Sequence, residues 1–471
     1  MLIFIFQYLR DGDEMKDLTE GAEVRVIFGF AVPMLIGNIF QQTYTMVDSI
    51  IVGRGVGKEA LAAVGASFPI IFLMVSLVIG ITMGASIMLS QYFGAKDYER
   101  LKKTIDTAYI FLFLASLLIT GLGIVLSGSI LRGLKVPDEV FPHARQYLVI
   151  MFAGMLFLFG YNTVSAVLRG LGDSKNPLYF LIIATILNIF LDLLFVMVFR
   201  WGVAGAAWAT VLSQGVSLFA GIIYMQRSKH DFLHIHLRKI RFDWEIFRTM
   251  LRIGLPSGLQ QSFVSLGFIA LTRIVTPFGT NVIAGYTAAS RLDSFAVMPA
   301  MTLSVAISTF VGQNLGARKV ERVRKGYLST LLLAGTIAAV ITAVMILFRT
   351  QLIAIFNADP EVIRIGSEYL VIVSSFYVVF SSMFITGGVL RGAGDTLTQM
   401  FISLCALWLI RIPVSAFLSS RIGTAGIWWG IPAGWFVGFG ISFVYFLGGR
   451  WKRKVVVKPV SGGAPAVSTG S

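Results

Sequence analysis

PMLIGNIFQQTYTMVDSIIVGRGVG, residues Pro33 to Gly57, is an apolar helical stretch that carries a polar line. Gln41, Tyr44 and Asp48 fall at i, i+3 and i+7, so one face of a helix presents all three. An ionisable group inside a membrane segment faces a protein interior or an aqueous cavity and marks an ion or substrate path. The other apolar segments then read as the walls of that cavity.

Of the 471 residues, 56% are hydrophobic and 13% charged, with a mean hydropathy of +0.80. A soluble chain carries about 25% charged residues. Twelve apolar stretches are long enough to cross ~30 Å of hydrocarbon. They run over 26–52, 61–92, 105–128, 147–168, 178–199, 203–226, 254–276, 282–312, 327–348, 369–390, 399–420 and 424–447. The expected fold is an all-α polytopic membrane protein. The net charge of +15 does not point to nucleic acid, because 27 of the 39 Lys and Arg lie in the termini and in loops on one side. That bias places both termini on the cytoplasmic side of the cell membrane. The single cysteine, Cys405, excludes a disulfide framework. His143, His230, His234 and His236 fall in loops, where His234 and His236 make at most a weak metal pair. Met1 to Leu9 is too short to span, and Met15 reads as a more natural start; the tail from Pro459 is rich in small residues and reads as disordered.

The chain repeats itself. Gln91-Tyr-Phe-Gly-Ala-Lys-Asp-Tyr-Glu-Arg100 returns 222 residues later as Gln313-Asn-Leu-Gly-Ala-Arg-Lys-Val-Glu-Arg322. Val167-Leu-Arg-Gly-Leu-Gly-Asp173 returns at the same offset as Val389-Leu-Arg-Gly-Ala-Gly-Asp395, and Pro33 pairs with Pro256. Six spans per half leave both halves facing the same way, which implies two six-helix lobes related by a pseudo-two-fold along the membrane normal, with a cleft between them. The divisions are an N-terminal segment 1–25, a first lobe 26–226, a linker 227–253, a second lobe 254–447 and a tail 448–471. In the repeated motifs, Gly is expected to stop a helix with positive φ and Arg or Lys to satisfy its last carbonyls. Gly170-Leu-Gly-Asp173 and Gly392-Ala-Gly-Asp395 also match the GxGD pattern of intramembrane aspartyl proteases, but no second aspartate lies at matching depth.

Three acids lie well inside spans: Asp48, Asp192 and Asp293. Asn188 and Asp192 share a face of span 5, and Thr210 sits on span 6. Counted from the outer ends, Asp48, Asp192 and Thr210 all lie ~6–10 Å deep at 1.5 Å per residue. A polar cluster that only glues helices would not need two carboxylates without a basic partner. Such carboxylates take up a proton or hold a cation. The repeat partners are Leu271 for Asp48 and Pro413 or Val414 for Asp192, so the second half keeps the scaffold without these acids. Arg273, Arg291, Asp293 and Arg411 are the ionisable groups of the second lobe, read as span-end or neighbour-paired charges or as cleft lining. No HExxH, Cys/His pair or aspartate dyad suggests an enzyme.

Twelve spans in two repeats, with Pro33, Gln41-Gln-Thr-Tyr44, Val47-Asp48, Gln91-x-x-Gly-Ala, Leu168-Arg-Gly-Leu-Gly-Asp173 and Asn188-x-x-x-Asp192, together resemble the multidrug and toxic compound extrusion (MATE) transporters. The resemblance covers roughly 15–450. It implies a V-shaped two-lobe exporter of bulky, often cationic amphiphiles by cation antiport, monomeric, in contact with membrane lipids, and with no cofactor beyond a coupling H⁺ or Na⁺. By position, Asp48 resembles the acid that couples ion to drug, and Asn188, Asp192 and Thr210 its ion-binding neighbours. Gln41, Tyr44 and Asn162 would line the drug site, and Pro33 matches a bending proline. The branch with coupling acids in the second lobe has carboxylates where this chain reads Val264 and Phe380 or a neighbour. The resemblance is therefore to the archaeal and DinF-like side. A flippase for a lipid-linked precursor, of the same superfamily, is the alternative.

Overall fold

The structure, a computed structural model, describes residues 15–236 and 238–457. The stretch Met1–Leu9 and the tail from Pro459 lie outside the described residues. Each of the twelve expected spans falls, to within a residue at its ends, inside a helical span or a bent helix pair. Apolar chain in lipid must satisfy its own backbone, and the helix does so within one segment. In order these are α1 Glu23–Gly55, α2 Lys58–Gly94, α3 Tyr98–Gly133, α4 Phe141–Ala153, α5 Met155–Gly170, α6 Lys175–Asp192 and α7 Val203–Arg227. The second half holds α8 Trp244–Val275, α9 Thr280–Gly316, α10 Val320–Leu347, the short α11 Arg349–Ala354, α12 Pro360–Ser374, α13 Tyr377–Gly392, α14 Thr396–Leu404, α15 Ile412–Ile422 and α16 Thr424–Leu447.

Three features depart from straight spans. Spans 4 and 10 are bent, by 49° between α4 and α5 and by 50° between α12 and α13. A bend frees carbonyls of the last turn. A threonine of the preceding span takes up one of them in each half: Thr120 Oγ1 donates to Phe152 O at 2.7 Å, and Thr342 Oγ1 to Ser374 O at 2.6 Å. The two threonines are 222 residues apart, so the kink is part of the repeat. Spans 5 and 11 contain π-helical segments, Leu193–Val198 directly after Asp192 and Cys405–Arg411 between α14 and α15. The basic stretch read as linker to 253 becomes helical already at Trp244. Asp243 caps it, its Oδ1 accepting from Ile246 N at 3.0 Å. A hydropathy count misses residues 244–253 because Glu245, Arg248 and Arg252 lie among them.

The halves meet along backbone-close crossings. A Cβ on Gly80 of α2 would lie 2.5 Å from Gly258 Cα of α8, and one on Gly84 would lie 2.5 Å from Met250 O. Gly80-x-x-x-Gly84 facing Gly254-x-x-x-Gly258 is a small-residue pairing that lets two membrane helices touch. Nearer the end that carries the basic loops, α2 crosses α9. There a Cβ on Gly94 would lie 1.9 Å from Gln313 O, and one on Gly316 2.0 Å from Gln91 O. Gln91 Nε2 donates to Gly392 O at 2.9 Å and Gln313 Nε2 to Gly170 O at 3.3 Å, each reaching into the opposite half. The glutamine carbonyls accept from the two ends of the described chain, Leu18 N at 2.9 Å on Gln313 and Val456 N at 2.7 Å on Gln91. Apolar side chains of both halves, among them Ile27, Phe30, Phe310, Val311 and Trp451, close over this crossing.

This geometry corrects part of the motif reading. In Gly-Ala-Lys and Gly-Ala-Arg the positive φ belongs to Lys96 (57°) and Arg318 (61°); Gly94 and Gly316 stay helical and serve the close approach. In Arg-Gly-x-Gly-Asp the second glycine does turn the chain, with φ 87° at Gly172 and 89° at Gly394. The aspartates are tied into the following turn. Asp173 Oδ1 accepts from Lys175 N and Asn176 N, its Oδ2 accepts from Asn176 Nδ2 and Tyr224 Oη, and Asp395 accepts from Thr398 and Tyr445. Neither is free for protease chemistry.

Candidate ion and substrate site

α1, α6 and α7 bring the expected polar groups of the first half together. α1 packs along α6 and ends beside the π segment that follows Asp192. Asp192 is fully buried, Asn188 is 1% exposed, and Asp48 and Thr210 are each 9% exposed. The carboxyls of Asp48 and Asp192 face each other within interaction range, and Tyr44 reaches Thr210 with both acids nearby. Asp48 Oδ1, both oxygens of Asp192, both terminal atoms of Asn188 and Thr185 Oγ1 are buried with no hydrogen-bond partner among the described residues. Two acceptor carboxylates can approach only through a proton or a cation. Among the described residues no Lys or Arg interacts with either acid.

The polar line of α1 separates along its length. Asp48 is buried, Tyr44 half-buried and Gln41 exposed. Tyr44, Asn188 and Thr210 line a crevice with Thr185 and Gln214. Gln41, Asn162 and Pro33 instead line a separate cavity of about 100 Å³, to which Gln214 also contributes. Asn162 uses its Nδ2 on Leu158 O at 2.8 Å, and α1 continues as one helix through Pro33. Sequence reasoning missed Tyr147, Thr185, Gln214 and Arg169. Tyr147, whose neighbours include Asp48, Tyr44 and Asp192, was findable through the repeat, since Tyr369 holds the same place beside Asp293. Thr185 and Gln214 carried no signal beyond polarity.

The second half is built differently. Leu271, the partner of Asp48, is fully buried in an apolar cluster with Val275 and Trp428. Phe380 stacks edge-on against Trp435, 5.0 Å between ring centres. Asp293 accepts from Tyr377 Oη at 2.6 Å, with Tyr369 and Arg411 also acting on it. Arg411 lies 5.7 Å from the centre of the Phe268 ring, while Arg273 and Arg291 are exposed. This acid therefore has a donor and a nearby cation, which Asp48 and Asp192 lack. We expect Asp192→Asn to lower transport by about ten-fold or more, equivalent to ~1.4 kcal/mol. Asp293→Asn keeps an acceptor for Tyr377 and should stay within about two- to three-fold, less than ~0.7 kcal/mol. Efflux assays at matched expression would decide, and the reverse order would place the ion site in the second half.

No group of three or more His, Cys, Asp or Glu suited to a metal occurs among the described residues. The His234 ring uses Nε2 on Ser228 O at 2.8 Å and Nδ1 beside Asp231 at 3.2 Å. It is a loop clasp.

A family model described as MatE matches the chain twice, over residues 33–194 and 256–417. The matches reproduce the internal repeat and cover more than half of the sequence. The chain belongs to the MatE family. A probable multidrug resistance protein of Bacillus subtilis, YpnP, is 35% identical to this MatE protein over 93% of the chain and 97% of its own length. A probable multidrug resistance protein NorM of Thermotoga maritima is 28% identical, covering 91% and 93%. A solved multidrug resistance MATE family transporter of the MOP superfamily, in an outward-facing conformation, matches with a TM-score of 0.88 at 25% identity, over 94% of this chain and 99% of that one. This MatE protein is thus a multi-pass membrane transporter with twelve spans in two lobes, acting on small molecules. It is not an enzyme and uses no cofactor. Its multidrug relatives do not favour the flippase alternative.

Proposed function

We propose that this MatE protein exports bulky amphiphilic, often cationic compounds across the cytoplasmic membrane in exchange for H⁺ or Na⁺. Asp48 and Asp192 are the coupling pair, Asn188 and Thr210 assist the ion, and Gln41, Tyr44 and Asn162 contact the drug. The observation that carries this reading is two buried carboxyls, from two helices, facing each other without a donor or a basic partner. A proton or Na⁺ captured there removes the negative charge that attracts a cationic drug, so the two compete and transport becomes exchange. Pro33 leaves the Gly29 carbonyl without an amide partner and gives α1 a place to bend between states. The first lobe spans 26–226 and the second 254–447, working as a monomer with both termini cytoplasmic.

The test is drug transport in proteoliposomes under proton and sodium gradients imposed separately. At least one gradient should drive accumulation, and its sign should reverse the flux. Transport indifferent to both gradients would remove the antiport reading.

A further inference from the structure

Arg169, at the end of α5, is a cavity-lining charge that this ion cycle leaves unused. It stands in the Arg-Gly-x-Gly-Asp motif, and its repeat partner is Arg391. Arg391 is buried and donates from Nη2 to Ser304 Oγ of α9. The first-half counterpart of Ser304 is Thr82, 222 residues earlier. The Thr82 hydroxyl is turned into its own helix, donating to Val78 O at 2.8 Å and Ile79 O at 3.1 Å. The Arg169 side chain therefore lacks the tether that holds its twin; among the described residues it makes no hydrogen bond or ion pair, and Tyr161 is its titratable neighbour. Nor does it cap the carbonyls of its helix end, as the motif alone suggested.

Its side chain instead lines the cavity of about 100 Å³ shared with Gln41, Tyr161, Asn162 and Gln214. That lining contains no Asp or Glu. The nearest acid in sequence, Asp173, is committed to Asn176 and Tyr224. A half-buried guanidinium without a protein acceptor is a ready partner for an anion or other strong acceptor. Its fork of N–H donors matches a carboxylate in a bidentate way. Gln214 also lines the crevice beside Tyr44, Asn188 and Thr210, so the cavity and the acid cluster adjoin. One lobe thus holds two opposite charges in series. On α6, Pro177 lies in the Arg169 cavity and Asp192 in the acid cluster, 15 residues apart, or ~22 Å at 1.5 Å per residue.

We propose that Arg169 seats an anionic group of the exported compound, a carboxylate foremost, and that the protein takes zwitterionic amphiphiles whose positive end lies toward Asp48. The inference rests on the drug site proposed for the first lobe and gives that site its second pole.

The experiment uses the full chain in lipid nanodiscs and two dyes that share one cationic ring system, tetramethylrhodamine with a free carboxylate and its methyl ester. Arg169→Gln should shift the ratio of their dissociation constants by about ten-fold or more against the carboxylate dye. Arg169→Lys keeps the charge but loses the fork, and should give an intermediate ratio. That variant carries the test alone if Arg169→Gln does not fold. A ratio unchanged in well-folded variants would overturn the inference and leave the exporter reading intact, provided that Asp48→Asn still weakens binding of the ester. Wild-type protein that binds neither dye would sink the drug site and the inference together.

Discussion

Asp48→Asn is expected to abolish gradient-driven export, to the level of empty liposomes, while the protein remains folded and inserted. The substitution keeps the size of the side chain. It breaks no donor bond to the buried oxygen, since Asp48 Oδ1 has none among the described residues. Removing one charge from a buried, uncompensated pair is neutral or stabilising for the fold. Function is another matter, because the pair works only if one site can be negative for the drug and neutral for the ion. In the wild type, drug affinity should fall on acidification or on addition of Na⁺, whichever ion couples. In the variant that dependence should vanish. Binding of a cationic dye between pH 5 and 9, with and without Na⁺, measures both. Normal resistance in cells that express the variant at wild-type level, or an unchanged ion response, would remove Asp48 from the coupling site.

The second large effect is structural. Gly94→Ala, and likewise Gly316→Ala, places a methyl about 1.9–2.0 Å from a backbone carbonyl oxygen of the opposing helix. Backbone cannot swing aside as a long side chain can. Overpacking of this kind costs about 1–3 kcal/mol or more. The cost falls only on the state in which α2 and α9 cross, so the population should shift toward forms open at the basic end. A cysteine at Ser90, fully buried at this crossing, reports the shift in a Cys405→Ala background. It should be inert in the parent and reactive toward a membrane-impermeant maleimide in Gly94→Ala, with transport reduced. Unchanged labelling together with unchanged transport would show that the crossing is not a gate.

The pairing of Gln91 with Gln313 shows how far the sequence could be read. The repeat announced that both residues mattered, but not that each would bond a helix-end carbonyl of the other half. That fact depends on two helices from different lobes lying in backbone contact. The small-residue pairs Gly80/Gly84 and Gly254/Gly258 went unread in the sequence, and only the crossing of α2 and α8 shows their use. Gly94 and Gly316 were misread as chain stops, because a glycine used for close approach and one used for positive φ look alike in one dimension.

The sequence by itself determined the twelve spans, the two-fold repeat and the confinement of unpaired acids to the first half. These follow from local quantities: apolar length against bilayer thickness, the 3.6-residue period, and the recurrence of motifs at a fixed offset. Tertiary structure decided the rest. It bent spans 4 and 10 onto Thr120 and Thr342, and it wound π segments after Asp192 and before Ile412. It set Gln41 and Asn162 in a cavity beside the acid cluster while Tyr44 lines the crevice of the cluster itself, and it left Arg169 untethered where Arg391 is tied. The reason is that a residue's helix fixes only which face it occupies. What that face meets depends on the rotation and tilt of neighbouring helices, which are set by contacts hundreds of residues apart in the chain.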